Sequence, residues 1–423
     1  GFILVPACKE LCPIWFFSET GSLDFTTESV AADVLRGRLA LATEVVTGKV
    51  NISDPRRREL AASASESNRS RWARMTESKS EWINENTQLL VGTPPLLSTV
   101  WHQGPPFNLL CPVGRNGIRC AAGCLPIAVA QIARFHAFPP NGGTGEEDYL
   151  WAGDDCDSLR SEGALLHADF RNAYQWDRMP DSCLASCEGP ADSAAAELCY
   201  ELGVASQADY GTNCGTSAYA QSAVLALQLH FGYDSSAAFV YRAEVASAHE
   251  WFALLREEIN AARPVLYAFT YLSGVGHALV CDGWRIDAGI EQISLNLGDG
   301  GVTGWFAADD NGLSYTMQDY ATIHLAPPVQ LVTVGPNGEG DYVTIQTAID
   351  AAYNGTVIEL LDGVYRGPGN RDLNCNGKRI IIRSRNSDPS LCVIDCEGSA
   401  SYRHRAFVFN HDETLTTAVQ GIT

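Results

Sequence analysis

Residues 120–139 read CAAGCLPIAVAQIARFHAFP. Two thiols, Cys120 and Cys124, stand just before an apolar run of helical character. Pro126 suits a first helical turn, where its missing N–H costs nothing, and Pro139-Pro140 stops a helix. The spacing predicts a helix starting at Cys124. Partial positive charge at a helix N-terminus stabilises a thiolate and lowers the thiol pKa. Gly123 leaves room for another backbone to approach. Cys120 lies one turn earlier, outside that field, and is the better disulfide candidate, with Cys111 as a partner. Two readings follow. Both thiols are staples, or Cys124 is a nucleophile and Cys120 alone is the staple.

A nucleophilic thiol needs a base, and nine histidines are present. His136 shares the helix and reads as a packed residue. His277 opens the apolar strand in SGVGHALVCDGW, 153 positions beyond Cys124. That is near the roughly 130–150 residues typical of papain-like enzymes. Asn296, at the end of ISLN, is placed to accept from the imidazole N–H. Gln103, in VWHQGPPFN, has a side-chain NH₂ that can join the Cys124 amide as an oxyanion hole. The order Gln, Cys, His, Asn is that of papain. Taken singly, a strand histidine or asparagine more often just satisfies a local hydrogen bond.

Acidic residues outnumber basic ones by 50 to 29, for a net charge of −21. Such a chain is repelled by nucleic acid and anionic membranes, so neither is an expected partner. No apolar run is long enough to suggest a membrane span. Fourteen cysteines point to an oxidising compartment and several disulfides. Cys8/Cys12, Cys183/Cys187 and Cys392/Cys396 share a C-x-x-x-C spacing. No cysteine or histidine spacing fits structural zinc, and no metal or organic cofactor is expected. The chain opens on GFILV and stops in AVQGIT, and is read as a fragment of a longer protein.

Four regions follow from the patterning. Residues 1–46 hold a short strand and the helical pattern ESVAADVLRGRLALATEVV. Residues 47–93 are polar and charged, with Arg56–Arg58 open to proteolysis. Residues 94–327 are dense in aromatics. They show helical runs first (PIAVAQIARFHAF, PADSAAAELCYELGVA, SAYAQSAVLALQLHFG) and strands later (PVLYAF, HALVCDGW, ISLNL, GWFAA). That order implies an α+β fold with a cleft between two subdomains. Residues 328–423 carry recurring short β-branched runs, TVIELL, RIIIRS, CVIDCEG and AFVFN, after a helix in YVTIQTAIDAAYNG. This resembles the first coils of a right-handed parallel β-helix of the pectate-lyase-like kind.

The middle region is similar to the streptopain family of secreted bacterial cysteine peptidases. PPLLSTVWHQGPPFNLLCP, AGCLPIAVAQIARFHAFP, YQWDRMPD, LCYELGVASQADYG with GTSA, FGYDSSAAFVYR, RPVLYAF and GHALVCDGW follow in family order. The opening stretch, GFILVPACKELCPIWFFSETGSLDF, resembles the family's propeptide. The resemblance implies a secreted zymogen with a papain-like fold that acts on proteins or peptides. Cys124 then matches the nucleophile, His277 the base and Asn296 the asparagine opening the family's Asn-Trp-Gly-Trp-Gly-Gly loop. Here that loop reads Asn-Leu-Gly-Asp-Gly-Gly, so Leu297 and Asp299 replace both tryptophans. Leu297 can still exclude water, and Asp299 near His277 is expected to raise the imidazolium pKa. The rival readings are a carbohydrate-binding or carbohydrate-active β-helix protein, with glycan or cell-surface contacts, and a degenerate peptidase fold kept for binding.

Overall fold

The computed structural model describes residues 2–4, 16–18, 91–114, 117–154, 162–183, 190–212, 214–271, 276–287, 289–301, 303–308, 316–410 and 416–423. They form two units. One comprises 1–135 and 143–325, the other 136–142 and 326–423.

The first unit opens with an antiparallel pair, β1 (Phe2–Leu4) and β2 (Phe16–Ser18). The helix expected in 28–46 and most of the charged 47–93 stretch lie outside the described residues. The helical half begins with α1 (Cys124–His136). Leu125, Ile127, Ala128, Val129, Ala130, Ile132 and Ala133 are all buried. A helix covered on every side occupies the middle of its domain, which explains its nearly unbroken apolar sequence. Alongside stand a hairpin of β4 (Glu146–Trp151) and β5 (Ala164–Asp169), then α2 (Pro190–Ala205) and α3 (Ala220–Leu229).

The second half is an antiparallel sheet. Its strands are β3 (Val91–Thr93), β6 (Ala238–Tyr241), β7 (Val265–Tyr271), β8 (Gly276–Asp287), β9 (Ile290–Asn296), β10 (Thr303–Ala307) and β11 (Thr316–Ile323). They run in the order β10-β9-β8-β7-β11-β6. Strand β3 continues the β7 side of β8, pairing Thr93 with Trp284. Between β6 and β7 lies α4 (Ala248–Asn260), capped where Ser247 accepts the Glu250 N–H. Its Trp251, Phe252, Leu255 and Ile259 pack on Val265, Tyr267, Leu279 and Ile293 of the sheet. Each such side chain contributes roughly 1.5–3 kcal/mol by leaving water. Strand β8 is buried from His277 to Arg285. A strand covered on both faces reads as a continuous apolar run, as HALVCDGW does.

The second unit is built from parallel pairs. Strands β12 (Leu331–Val334), β13 (Val357–Leu360), β16 (Ile381–Ser384) and β19 (Ala418–Gln420) form one sheet. Two further pairs are β14 (Gly363–Tyr365) with β17 (Cys392–Ile394) and β15 (Leu373–Asn374) with β18 (Phe407–Val408). The register stacks Val332 on Ile358, Ile358 on Ile382 and Ile382 on Val419. A capped helix, α5 (Ile345–Ala351), adds Ile345, Ala348 and Ile349 to the same core. Thr344 is its cap, accepting from the Thr347 N–H.

Candidate active site

Cys124 is the first residue of α1. The chain reaches it through Gly123 at φ +95°, a left-handed conformation that L side chains rarely adopt. A Cβ there would also lie 2.9 Å from Thr216 Cγ2. The turn is held from both sides. Thr216 Oγ1 donates to Ala121 O at 2.6 Å, and Asn108 Nδ2 donates to Cys120 O at 2.9 Å. The Ala122 N–H donates to Gln103 O at 2.9 Å, which ties the Gln103 loop to the thiol turn.

Opposite stands the first turn of β8. The Ala278 N–H points at Cys124 Sγ, 3.5 Å away, and the neighbouring His277 is buried. His277 Nε2 donates to the Leu297 carbonyl at 3.2 Å, which leaves Nδ1 for the thiol. Burial alone pushes the Cys124 thiol up. The His277 charge, its hydrogen bond and the Ala278 and Leu125 amides outweigh that and hold the thiol below its ordinary value. Burial likewise disfavours imidazolium, but the Cys124 charge, the bonds to Cys124 and Leu297 and the Asp299 carboxylate bring His277 above its ordinary value. Both shifts favour thiolate with imidazolium. The pair titrates as one unit, so its pKa values belong to the pair.

Two expectations need amendment. Asn296 is buried at the end of β9 but does not orient the ring. Its Oδ1 accepts the Gly298 N–H at 3.1 Å, and its Nδ2 donates to Thr99 O at 2.7 Å and Gln131 Oε1 at 3.2 Å. The acceptor for the imidazole is instead the main chain of the next residue. Cys111 and Cys120 are both free, buried thiols. Each is pushed up to about 12, chiefly by burial, so they are apolar packing groups rather than a staple. Of the fourteen cysteines, Cys183 and Cys214 are disulfide-bonded, and eight of the described ones are free. His136 is buried at the far end of α1, about 18 Å along the axis from Cys124.

Leu297 is buried, and the main chain of Asp299 pairs with that of His102 in an isolated antiparallel β-bridge. Gln131, in the middle of α1, was not singled out by sequence reasoning. The signal was there, as one amide interrupting the apolar stretch Leu125–Ala133, seven residues after the thiol. A cavity of about 450 Å³ lined by Thr93, Trp284, Arg285 and Trp305 opens eight residues further along β8 and takes no part in this arrangement. Among the described residues, no helix is long and apolar enough to cross a membrane.

A thiol on a helix N-terminus, facing a buried imidazole on a strand of the adjoining sheet, defines a papain-like cysteine site. Residues 101–306 match the sequence model of the Peptidase C10 family. It is 29% identical over 262 residues to streptopain of Streptococcus pyogenes, covering 56% of this chain and 64% of streptopain. It is 27% identical over 250 residues to the thiol protease/hemagglutinin PrtT of Porphyromonas gingivalis, covering 59% of this chain and 26% of PrtT. The chain thus spans about a quarter of one curated relative and just under two thirds of the other. A solved fragment of prointerpain A from Prevotella intermedia shares the fold, with a TM-score of 0.56 and 22% identity, over 78% of this chain and 93% of that one.

Proposed function

We propose that the chain is a secreted cysteine endopeptidase, made as a zymogen, that hydrolyses peptide bonds in proteins. The observation that carries the reading is the Cys124–His277 pair, with its thiol held low and its imidazole held high. Cys124 as thiolate attacks the scissile carbonyl. His277 then gives its proton to the leaving amine and afterwards activates the water that releases the acyl group. The Cys124 N–H and the Gln103 side-chain amide receive the oxyanion. The Leu297 carbonyl keeps the ring turned towards sulfur, and Asn296 fixes the turn that carries it by accepting the Gly298 N–H.

Residues 1–46 act as the inhibitory segment and 47–93 as the region where activation cleavage falls. Residues 94–327 form the peptidase domain. Residues 328–423, within the second unit, are read as the first coils of a right-handed parallel β-helix, supported by three sets of parallel pairs. No observation of that unit favours the carbohydrate alternative.

The test is casein hydrolysis by the activated chain and its Cys124→Ala variant, with and without mild reductant. Hydrolysis that needs reductant, is blocked by a thiol-directed epoxide and is absent from the variant is expected. Undiminished hydrolysis by folded Cys124→Ala protein would refute the assignment.

A further inference from the structure

The Leu297 carbonyl reaches His277 only if the 296–298 turn is held in one place. The structure assigns that task to Gln131, a positioning residue in the core of α1. This inference rests on the peptidase reading above.

Gln131 has no exposed surface. Seven residues make almost two full helical turns, so its side chain leaves α1 on the same face as Cys124, about 10 Å further along. Its Oε1 accepts two hydrogen bonds from separate parts of the chain. The Trp101 N–H lies at 3.1 Å and Asn296 Nδ2 at 3.2 Å. Trp101 O in turn accepts the Gly300 N–H at 3.2 Å, and Thr99 O accepts the other bond from Asn296 Nδ2. Asn296 Oδ1 then takes the Gly298 N–H. The turn carrying Leu297 is therefore fastened on both sides, and both fastenings meet at a single amide oxygen on the helix that carries the nucleophile. Thiol and imidazole acceptor share one rigid support.

The other half of the same amide argues against a merely structural role. Gln131 Nε2 is buried and has no hydrogen-bond partner among the described residues. An unpaired buried donor costs stability, and a methionine or leucine would fill an apolar helix core without that cost. The amide is useful here for its acceptor alone, at the point where Asn296 and residue 101 need one.

The test uses the 423-residue chain after activation by cleavage within 47–93, and three variants, Gln131→Met, Gln131→Ala and Gln131→Glu. Methionine keeps length and removes the acceptor. Glutamate, held protonated by burial, keeps an acceptor oxygen for both bonds and puts a hydroxyl where the unpartnered Nε2 stood. Turnover of a fluorogenic peptide is read per active site, below each variant's melting temperature. We expect Gln131→Met and Gln131→Ala to lose about ten- to a hundredfold in kcat, with KM within about twofold, because the acceptor for His277 is misplaced while substrate contacts stay. The alkaline limb of the Gln131→Met pH profile moves to lower pH, since imidazolium loses a fixed partner. Gln131→Glu recovers most of kcat. A lowered melting temperature with unchanged kcat and an unmoved alkaline limb would overturn the proposal. So would failure of both Gln131→Met and Gln131→Ala to fold while Gln131→Glu folds normally. A parent chain without thiol-dependent hydrolysis would instead sink the peptidase reading itself, before any variant is compared.

Discussion

At the scale of single residues, the site depends on which charges face the thiol–imidazole pair. Asp299 stands where the family's loop has an indole. Its carboxylate is among the influences that raise His277. The thiol must lose its proton and the imidazole must keep one, so kcat/KM rises as pH passes the lowered thiol value and falls as it passes the raised imidazolium value. Asp299→Asn removes a negative charge that favours imidazolium. The alkaline limb should move to lower pH, by a few tenths of a unit to about one, while the acid limb moves little. A limb that stays in place in a pH–rate profile would show that Asp299 is too well screened to matter. Cys124 and His277 were legible because proline spacing and a glycine-led apolar strand mark their positions. The imidazole acceptor was not, because a main-chain carbonyl has no letter of its own. Asparagine is the obvious polar candidate at that corner, and only the fold reveals that its amide turns towards Thr99 and Gln131. Nor does spacing tell a pair of packed thiols from a bridged pair, as Cys111 and Cys120 illustrate.

At the scale of elements, β8 bears the most. It presents His277 and Ala278 at its start, and at its centre it buries Asp282 beside a register shift against β9. Burial pushes the Asp282 carboxyl up to about 7, although a Ser294 side-chain bond and the Leu97 N–H oppose it. The folded chain therefore keeps a proton that the unfolded chain releases near pH 4. Stability falls as pH rises from about 4 to about 7 and stays at the lower level above that. A carboxamide at this position never ionises and keeps an acceptor for both partners. Asp282→Asn should thus raise the melting temperature at pH 8, by an amount worth a few kcal/mol, and much less at pH 5. Equal shifts at both pH values in thermal unfolding would contradict this. Most elements of this half were readable from period alone. Helix α1 is bounded by Pro126 and the Pro139-Pro140 stop, and β8 and β9 carry the short apolar segments ALVC and ISL. Helix α4 has an equally clear pattern, with its serine cap and Trp251, Phe252, Leu255 and Ile259 on one face, yet the sequence motifs did not draw notice to it. The β4–β5 hairpin was harder. Leu150 and Leu165 point to solvent and blur its alternation.

At the scale of the whole molecule, two units of different construction share one chain. The first joins a helical half to an antiparallel sheet and forms its site where α1 meets β8. The second stacks parallel strands on an aliphatic ladder. The zymogen reading predicts that intact chain turns over peptide slowly, and that limited proteolysis within 47–93 raises the rate severalfold. Equal activity before and after cleavage, followed by peptide turnover and gel mobility, would remove the inhibitory role of residues 1–46. The central claim is narrower, that Cys124 is a thiolate because His277 faces it. The most direct measurement is the rate of Cys124 alkylation by iodoacetamide as a function of pH, in the parent and in His277→Ala. The account predicts rapid alkylation of the parent well below pH 8, where an ordinary thiol is still protonated, and a shift of the whole curve to higher pH in His277→Ala. A parent curve that rises only near pH 8.5, unchanged by loss of the imidazole, would contradict it.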